Sequence, residues 1–379
     1  MVVLYILIAL IILLLLITIH ELGHYLVGRK LGFKIEEFAV GFGKVIWQKV
    51  NKRGEKISLR LIPLGGYCAF YGEEGQTQDE NGKIVETKDP DAFTSQKPWK
   101  RILVFLAGVT FNFLTAIIFS FILLVSFGYG NVYKVNNVNE YFLNDARTSN
   151  QLYMIDKNDK ILAINGTEIN YVWEKTVENL VTDKTPETTY VLTILKAETG
   201  EVQDVRVEIQ YNKQLTYNAE TETYETAVDE NNNPIYDYGM GLDITLSSMP
   251  LSFWDALLEC FSLAIGFAWL VLKTLWLLIT FQLPLSALGG TATVISTVAS
   301  NMAIDLSVIL VYLPLLSVNL AIMNALPLPA LDGGHVVFTT IEAIRKKPIN
   351  RNVEAICHFV GLILLFGFVI LLDLIHFFG

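Results

Sequence analysis

The motif HELGH, His20 to His24, closes an apolar run that carries no charge from Val2 to Ile19. A membrane-spanning helix needs roughly 20 such residues. On a helix, His20 and His24 are four apart and share a face, and Glu21 lies one step round from His20. Two imidazoles so placed can hold one zinc ion. The carboxylate beside them can take a proton from water activated by that ion. An ionisable group at mid-membrane costs about 2.5–3.5 kcal/mol on insertion scales, so three together call for a metal or a polar cavity. The bland alternative is a set of ordinary polar residues at a membrane boundary. A secretory leader is a further alternative, but the run lacks a basic start and a small-residue cleavage site.

Two histidines are one ligand short of an ordinary catalytic zinc site. The distant candidate is Asp332, in NALPLPALDGGH, which ends a second long apolar stretch from Val308 to Leu331. His335 competes with it. Pro327 and Pro329 break a helix before Asp332, and freed backbone at membrane depth is tolerated only where it lines a cavity or is buried in protein. Gly333 and Gly334 let the chain turn closely past the site. Asn324, two helical turns before Asp332, can face the same cavity; its alternative role is an interhelical hydrogen bond.

Composition agrees with several membrane segments. Of 379 residues, 52% are hydrophobic, and the mean hydropathy is +0.43. Three separated cysteines, Cys68, Cys260 and Cys357, form no CxxC and no disulfide framework. His358 and His376 flank or end the last apolar segment and read as interfacial. Membrane orientation accounts for the basic residues, which leaves no nucleic-acid signature.

After His24 the chain is basic, from Arg29 through Arg60. Lys and Arg mark the cytoplasmic side, so HELGH lies toward the cytoplasmic end of a first helix whose start is outside. Lys44 to Tyr67 alternates as strand, turn and strand around Asn51–Gly54. It is either a surface hairpin or an edge that holds an unwound substrate extended. Gly72 to Lys97 reads as a polar loop. Ile102 to Phe127 is a second membrane helix with Gly108 and Asn112 on one face. Residues 131–245 are polar, acidic and strand-rich, and parity puts them outside. Phe253 to Phe281 is long enough to span. If it crossed once, Asp332 would emerge on the wrong side, so it is expected along the outer interface or as a re-entrant segment. Ala355 to Phe377 crosses outward last.

HELGH, the run N-x-x-P-x-P-x-L-D-G from Asn324 to Gly333, EFAVGFGKVIW, LIPLGGY and KPWKRILVFLAGVTFNFLTA together resemble the site-2 protease family of intramembrane zinc metalloproteases, and most of all the bacterial regulator-of-sigma-E group. The chain departs from the usual pattern at Val109, where proline is common after Gly108, and at Thr291 after Gly289 and Gly290. Neither change removes a ligand. The resemblance implies Zn2+ held by His20, His24 and Asp332, with Glu21 as general base. It places Asn112 beside the active site and raises Asn324 as a pocket residue; Gly108 and Gly333 complete the supporting set. The substrates it implies are membrane proteins with one span, already trimmed on the outer side, such as anti-sigma factors or remnant signal peptides. It also favours a hairpin that dips into the membrane near the site.

Met154 to Ile169, MIDKNDKILAINGTEI, resembles a PDZ-domain run, with Asn158 where glycine is usual. Gly239 to Ile244 would be the closing strand, and Gln214 to Tyr238 an inserted hairpin around Asn231–Pro234. One PDZ-like domain is expected, excluding or selecting substrates by size. An ordinary β-rich domain that binds no peptide is its alternative.

The sequence thus predicts a polytopic α-helical membrane protein with four transmembrane helices, a membrane-associated β-hairpin and one inserted extracytoplasmic PDZ-like α+β domain. Residues 1–130 form the first membrane half, 131–247 the PDZ-like domain and 248–379 the second half. The resemblance implies that its partners are transmembrane substrates, membrane lipid and peptide tails at the PDZ-like domain. It also implies a place in the bacterial cytoplasmic membrane, and parity then expects both termini extracytoplasmic and the site toward the cytoplasm. The function it implies is regulated intramembrane proteolysis. The competing readings are a catalytically silent PDZ scaffold and a metal transporter, which would need several ligand sets along a path.

Overall fold

The computed structural model describes residues 2–73, 76–78, 84–86, 89–138, 151–185, 188–213, 215–218, 223–226, 228, 236–285 and 288–378. Its contacts divide the chain into two compact units, 1–122 with 257–379, and 123–256.

The first unit is helical. Helix α1, Val2–Lys30, carries the uncharged run and HELGH without a break. Strands β1, Ile35–Val50, and β2, Lys56–Phe70, follow. They extend beyond the expected Lys44 to Tyr67 because both are bent. Residues 35–40 of β1 pair with 66–70 and also with 56–59, while 45–50 pair with 56–60. The bends fall at Gly41, φ +86°, and Gly65, φ +123°, conformations that side chains rarely adopt. The turn is the expected one, with Asn51 Oδ1 accepting the Arg53 and Glu55 N–H groups. The stretch expected to be a plain loop contains two short paired strands, β3 Gln76–Gln78 and β4 Ile84–Glu86.

Helix α2, Pro98–Ser126, begins at a proline, which lacks the N–H that a first turn leaves unpaired anyway. It approaches α1 closely. A Cβ on Gly23 would stand 2.6 Å from the Ala107 carbonyl oxygen.

The second unit is built on an antiparallel sheet. Its strands are β5 Val132–Val138, β6 Lys160–Ile164, β7 Thr167–Glu168, β8 Thr189–Leu195 and β9 Val202–Glu208, with β14 Leu242–Ser247 closing it. The order is β14-β5-β6-β8-β9, with β7 on β6, and one-turn helix α3, Val177–Leu180, lies between β7 and β8. The alternating inward residues Leu192, Ile194, Val205 and Val207 are fully buried. Asn158 adopts φ +72°, which asparagine tolerates better than other side chains. Asn165 and Gly166 make the tight turn that an Asn-Gly pair favours. Asp159 is buried and bonds Lys196 Nζ at 2.6 Å and the Ala197 N–H at 2.9 Å.

The inserted hairpin is a double one. Strand β10, Gln210–Lys213, pairs with β13, Tyr236–Gly239. Inside it, β11, Leu215–Asn218, pairs with β12, Thr223–Thr226. Asn231–Pro234, around which the hairpin is expected to turn, lies outside the described residues. At the neck, Asn131 bonds both the N–H and the carbonyl of Met249.

Helix α4, Phe253–Ile279, is one uninterrupted helix. It has no turn at which a re-entrant segment could reverse within those residues. Helix α5, Thr291–Ile304, lies outside the expected elements, since its mixed Thr, Ser, Ala and Val content gives no long apolar run. It packs Val298 and Met302 against Ala9, Ile12 and Leu16 of α1. Asp373 accepts hydrogen bonds from the Ala292 and Thr293 N–H groups at its start.

The stretch expected from Val308 to Leu331 is helical only as α6, Ile309–Ala325, after a 3-10 turn at Leu306–Val308. Prolines 327 and 329 follow its end, as expected. Helix α7, Asp332–Arg345, then starts afresh, and α8, Arg351–Phe378, follows. Among the described residues, five helical segments, including Leu306–Ala325, are long and apolar enough to cross a membrane. The chain is a multi-pass membrane protein with an inserted β domain.

Candidate metal centre

The site is assembled from α1, α2, α7 and the hairpin. His20 and His24 sit one above the other on α1, ring centroids 4.8 Å apart. Asp332, the first residue of α7, places Oδ2 2.9 Å from His20 Nε2 and 3.4 Å from His24 Nε2. Donors about 2.1 Å from one tetrahedral ion lie roughly 3.4 Å from one another, so these separations suit zinc. Two further observations fit a cation here. Asp332 Oδ2 is buried and faces the two Nε2 atoms with no other hydrogen-bond partner. Gly108 leaves a gap beside the donors, since a Cβ there would stand 2.5 Å from His24 Nε2 and 2.6 Å from His20 Nε2.

Helix α2 supplies the outer contacts. His24 Nδ1 lies 2.8 Å from the Val104 carbonyl oxygen, and His20 Nδ1 lies 3.2 Å from Asn112 Nδ2. Val104, Gly108 and Asn112 follow at intervals of four on one face of α2. Asn112 is fully buried, and its backbone carbonyl also accepts the Ser317 hydroxyl at 2.8 Å.

The hairpin holds Glu21. Its carboxylate faces the Cys68 backbone N–H, and a Cβ on Gly66 would touch its Cγ at 3.5 Å. Glu37 braces the hairpin by accepting from Arg60 at 2.8 Å and from Tyr67 at 2.8 Å. Burial pushes the Glu37 carboxyl up, but the hydrogen bonds from Ser58, Arg60 and Tyr67 outweigh it and leave the group below its ordinary value.

The loop 326–331 delivers Asp332. A Cβ on Gly333 would collide with the Ala325 and Leu326 carbonyl oxygens, so only glycine allows α7 to start against the end of α6. Ala330 adopts φ +74°, and its N–H donates to His358 Nδ1 at 2.9 Å. His358 thus supports the loop that carries Asp332, a role its position in the sequence does not suggest.

His335 is not the third ligand. It stacks on His358 at 3.9 Å and on Phe105 at 4.9 Å. His335, His358 and Glu354 have donor atoms within 4.8 Å of one another. Rings so nearly parallel, at 12°, cannot both direct in-plane lone pairs at one ion.

Asn324 is not two turns along one helix from Asp332, because the helix ends between them. Its Nδ2 donates to the Leu320 carbonyl at 3.0 Å, one turn back in α6.

Paired histidines and an adjacent acid on an apolar helix, with a carboxylate brought beside them at the start of α7, fit a metal-dependent hydrolase of the membrane. Residues 8–368 match peptidase family M50, and the chain belongs to that family. Among its relatives, the regulator of sigma E protease of Haemophilus influenzae is 27% identical, over 92% of this chain and 93% of that protein. The regulator of sigma-E protease RseP of Escherichia coli is 25% identical, over 92% and 93%. The chain is a zinc metalloprotease. Nothing in these matches favours the silent scaffold.

Proposed function

We propose that this protease cuts a peptide bond within the membrane-spanning segment of a protein already trimmed outside the membrane, with His20, His24 and Asp332 as zinc ligands and Glu21 as general base. The observation that carries it is the convergence of those three donors, with Glu21 alongside, at the end of an apolar helix. Zinc supplies a Lewis acid that polarises a carbonyl and acidifies water to a pKa of about 7. Glu21, oriented by the Cys68 N–H, accepts the water's proton at its carboxylate and returns it to the leaving amide nitrogen.

A scissile bond in a helix is hidden, so the substrate must be extended. Residues 66–70 pair with 35–40, and the Cys68 N–H is turned toward Glu21. A substrate strand laid beside this segment would pass the site. Asn324 would contact it through its amide oxygen.

Four spans keep both termini outside, with α4 along the outer interface. Asp373, near the end of α8, caps the start of α5, which supports an outer position for the link after α4. The inserted β domain acts as a PDZ-like filter that admits trimmed substrates and takes peptide tails. The lipid-embedded site lies toward the cytoplasm in a bacterial membrane.

The test offers the purified protein two single-span substrates, one with a folded outer domain and one without, and maps the cut by mass spectrometry. The trimmed form should be cut inside its apolar segment. Equal cutting of both forms, or a cut outside that segment, would contradict the proposal.

A further inference from the structure

A histidine that binds zinc through Nε2 must give that nitrogen's lone pair to the metal, so in the neutral ring the proton sits on Nδ1. The group facing Nδ1 therefore selects between a ring ready for metal and one that is not. For His24 the choice is already made. Its Nδ1 faces the Val104 carbonyl oxygen at 2.8 Å, and a carbonyl can only accept. In the neutral ring Nδ1 then carries the proton and Nε2 keeps its lone pair.

His20 faces an amide, which can present either end. With Nδ2 toward the ring at 3.2 Å, the amide proton would occupy the Nδ1 lone pair, so Nε2 would hold the ring proton and could not ligate. The other end of the amide, Oδ1, has no partner to hold the side chain in that orientation. Amide oxygen and nitrogen differ only by a half-turn of the side chain, and their assignment follows from the hydrogen bonds they must make.

We infer that Asn112 is a positioning residue of the zinc site, turning its side-chain oxygen to accept the His20 Nδ1 proton and so holding His20 in the tautomer that binds metal. Helix α2 then acts as one template. Val104 orients His24 through its carbonyl, Gly108 leaves room for the ligand atoms, and Asn112 orients His20, at successive turns of one face. This role for Asn112 rests on the zinc ligands proposed above.

Zinc affinity of the full chain in detergent, measured by competition with a chelator, separates the possibilities. Asn112→Leu keeps the bulk and loses the acceptor. Its affinity should fall 10- to 100-fold, the usual effect of removing a group that orients a ligand. Asn112→Asp keeps an acceptor and has no donor, so its affinity should match or exceed that of the wild type. Cobalt substituted into the Asp variant should give the wild-type absorption spectrum. Wild-type affinity in the Leu variant would overturn the inference. So would an Asp variant as weak as the Leu variant, which would mean that the amide N–H matters. If the wild type itself binds no zinc while remaining monodisperse, the ligand assignment fails first, and the inference with it.

Discussion

Gly108 shows how little room the centre leaves. Helix α2 already lies close against α1, where a Cβ on Gly23 would stand 2.6 Å from the Ala107 carbonyl oxygen. We expect Gly108→Ala to push the His24 ring away from the donor cluster. Overpacking of this kind costs about 1–3 kcal/mol, which corresponds to a fall in zinc affinity of roughly five- to 150-fold. Metal analysis after dialysis checks it, and full zinc content in the variant would contradict the geometry. At this scale the candidate ligands are legible in the sequence, because ionisable residues clustered at the ends of apolar runs are too costly to keep without a metal or a polar cavity. Their partners are not. A backbone carbonyl such as that of Val104 leaves no mark in a sequence. The support that His358 gives is hidden too, because it depends on the turn at Ala330, which no local pattern announces.

Among the elements, the helix breaks are the most legible. Pro327 and Pro329 keep α6 from continuing for a local steric reason, and the two glycines after Asp332 fit the close start of α7. Helix α5 is hidden because its apolar content is interrupted. The bends in β1 and β2 are hidden because strand alternation does not reveal which segments pair twice. The charged link between α2, α7 and α8 is also unreadable. Arg101 donates to Glu342 at 2.6 Å, and Arg351 reaches the same carboxylate at 3.0 Å. Arg101 and Glu342 are buried and 241 residues apart. Breaking a buried pair costs about 3–5 kcal/mol, while replacing both partners by apolar groups is often neutral. Glu342→Ala should therefore lower the melting temperature in detergent sharply, and Arg101→Met with Glu342→Met should recover much of the loss. A double variant as unstable as the sum of the singles would show that the pair is not the cause.

Over the whole molecule, the catalytic group is split between the two ends of the chain, with the β domain inserted between them. That split is visible in the sequence because each half carries its own motif. The inserted domain is legible as strands but not in its pairing, since the double hairpin could close at more than one polar turn. The expected topology rests on a constraint of depth: Asp332 must meet His20 and His24, and it does. Zinc content and cleavage measured together on wild type, Glu21→Gln and Asp332→Ala test the metal centre most directly. We expect wild type to hold one zinc per chain and to cut a bond within a single-span substrate, Glu21→Gln to keep the zinc without cutting, and Asp332→Ala to lose both. Cutting by Glu21→Gln at the wild-type rate, or zinc retained in full by Asp332→Ala, would contradict that assignment.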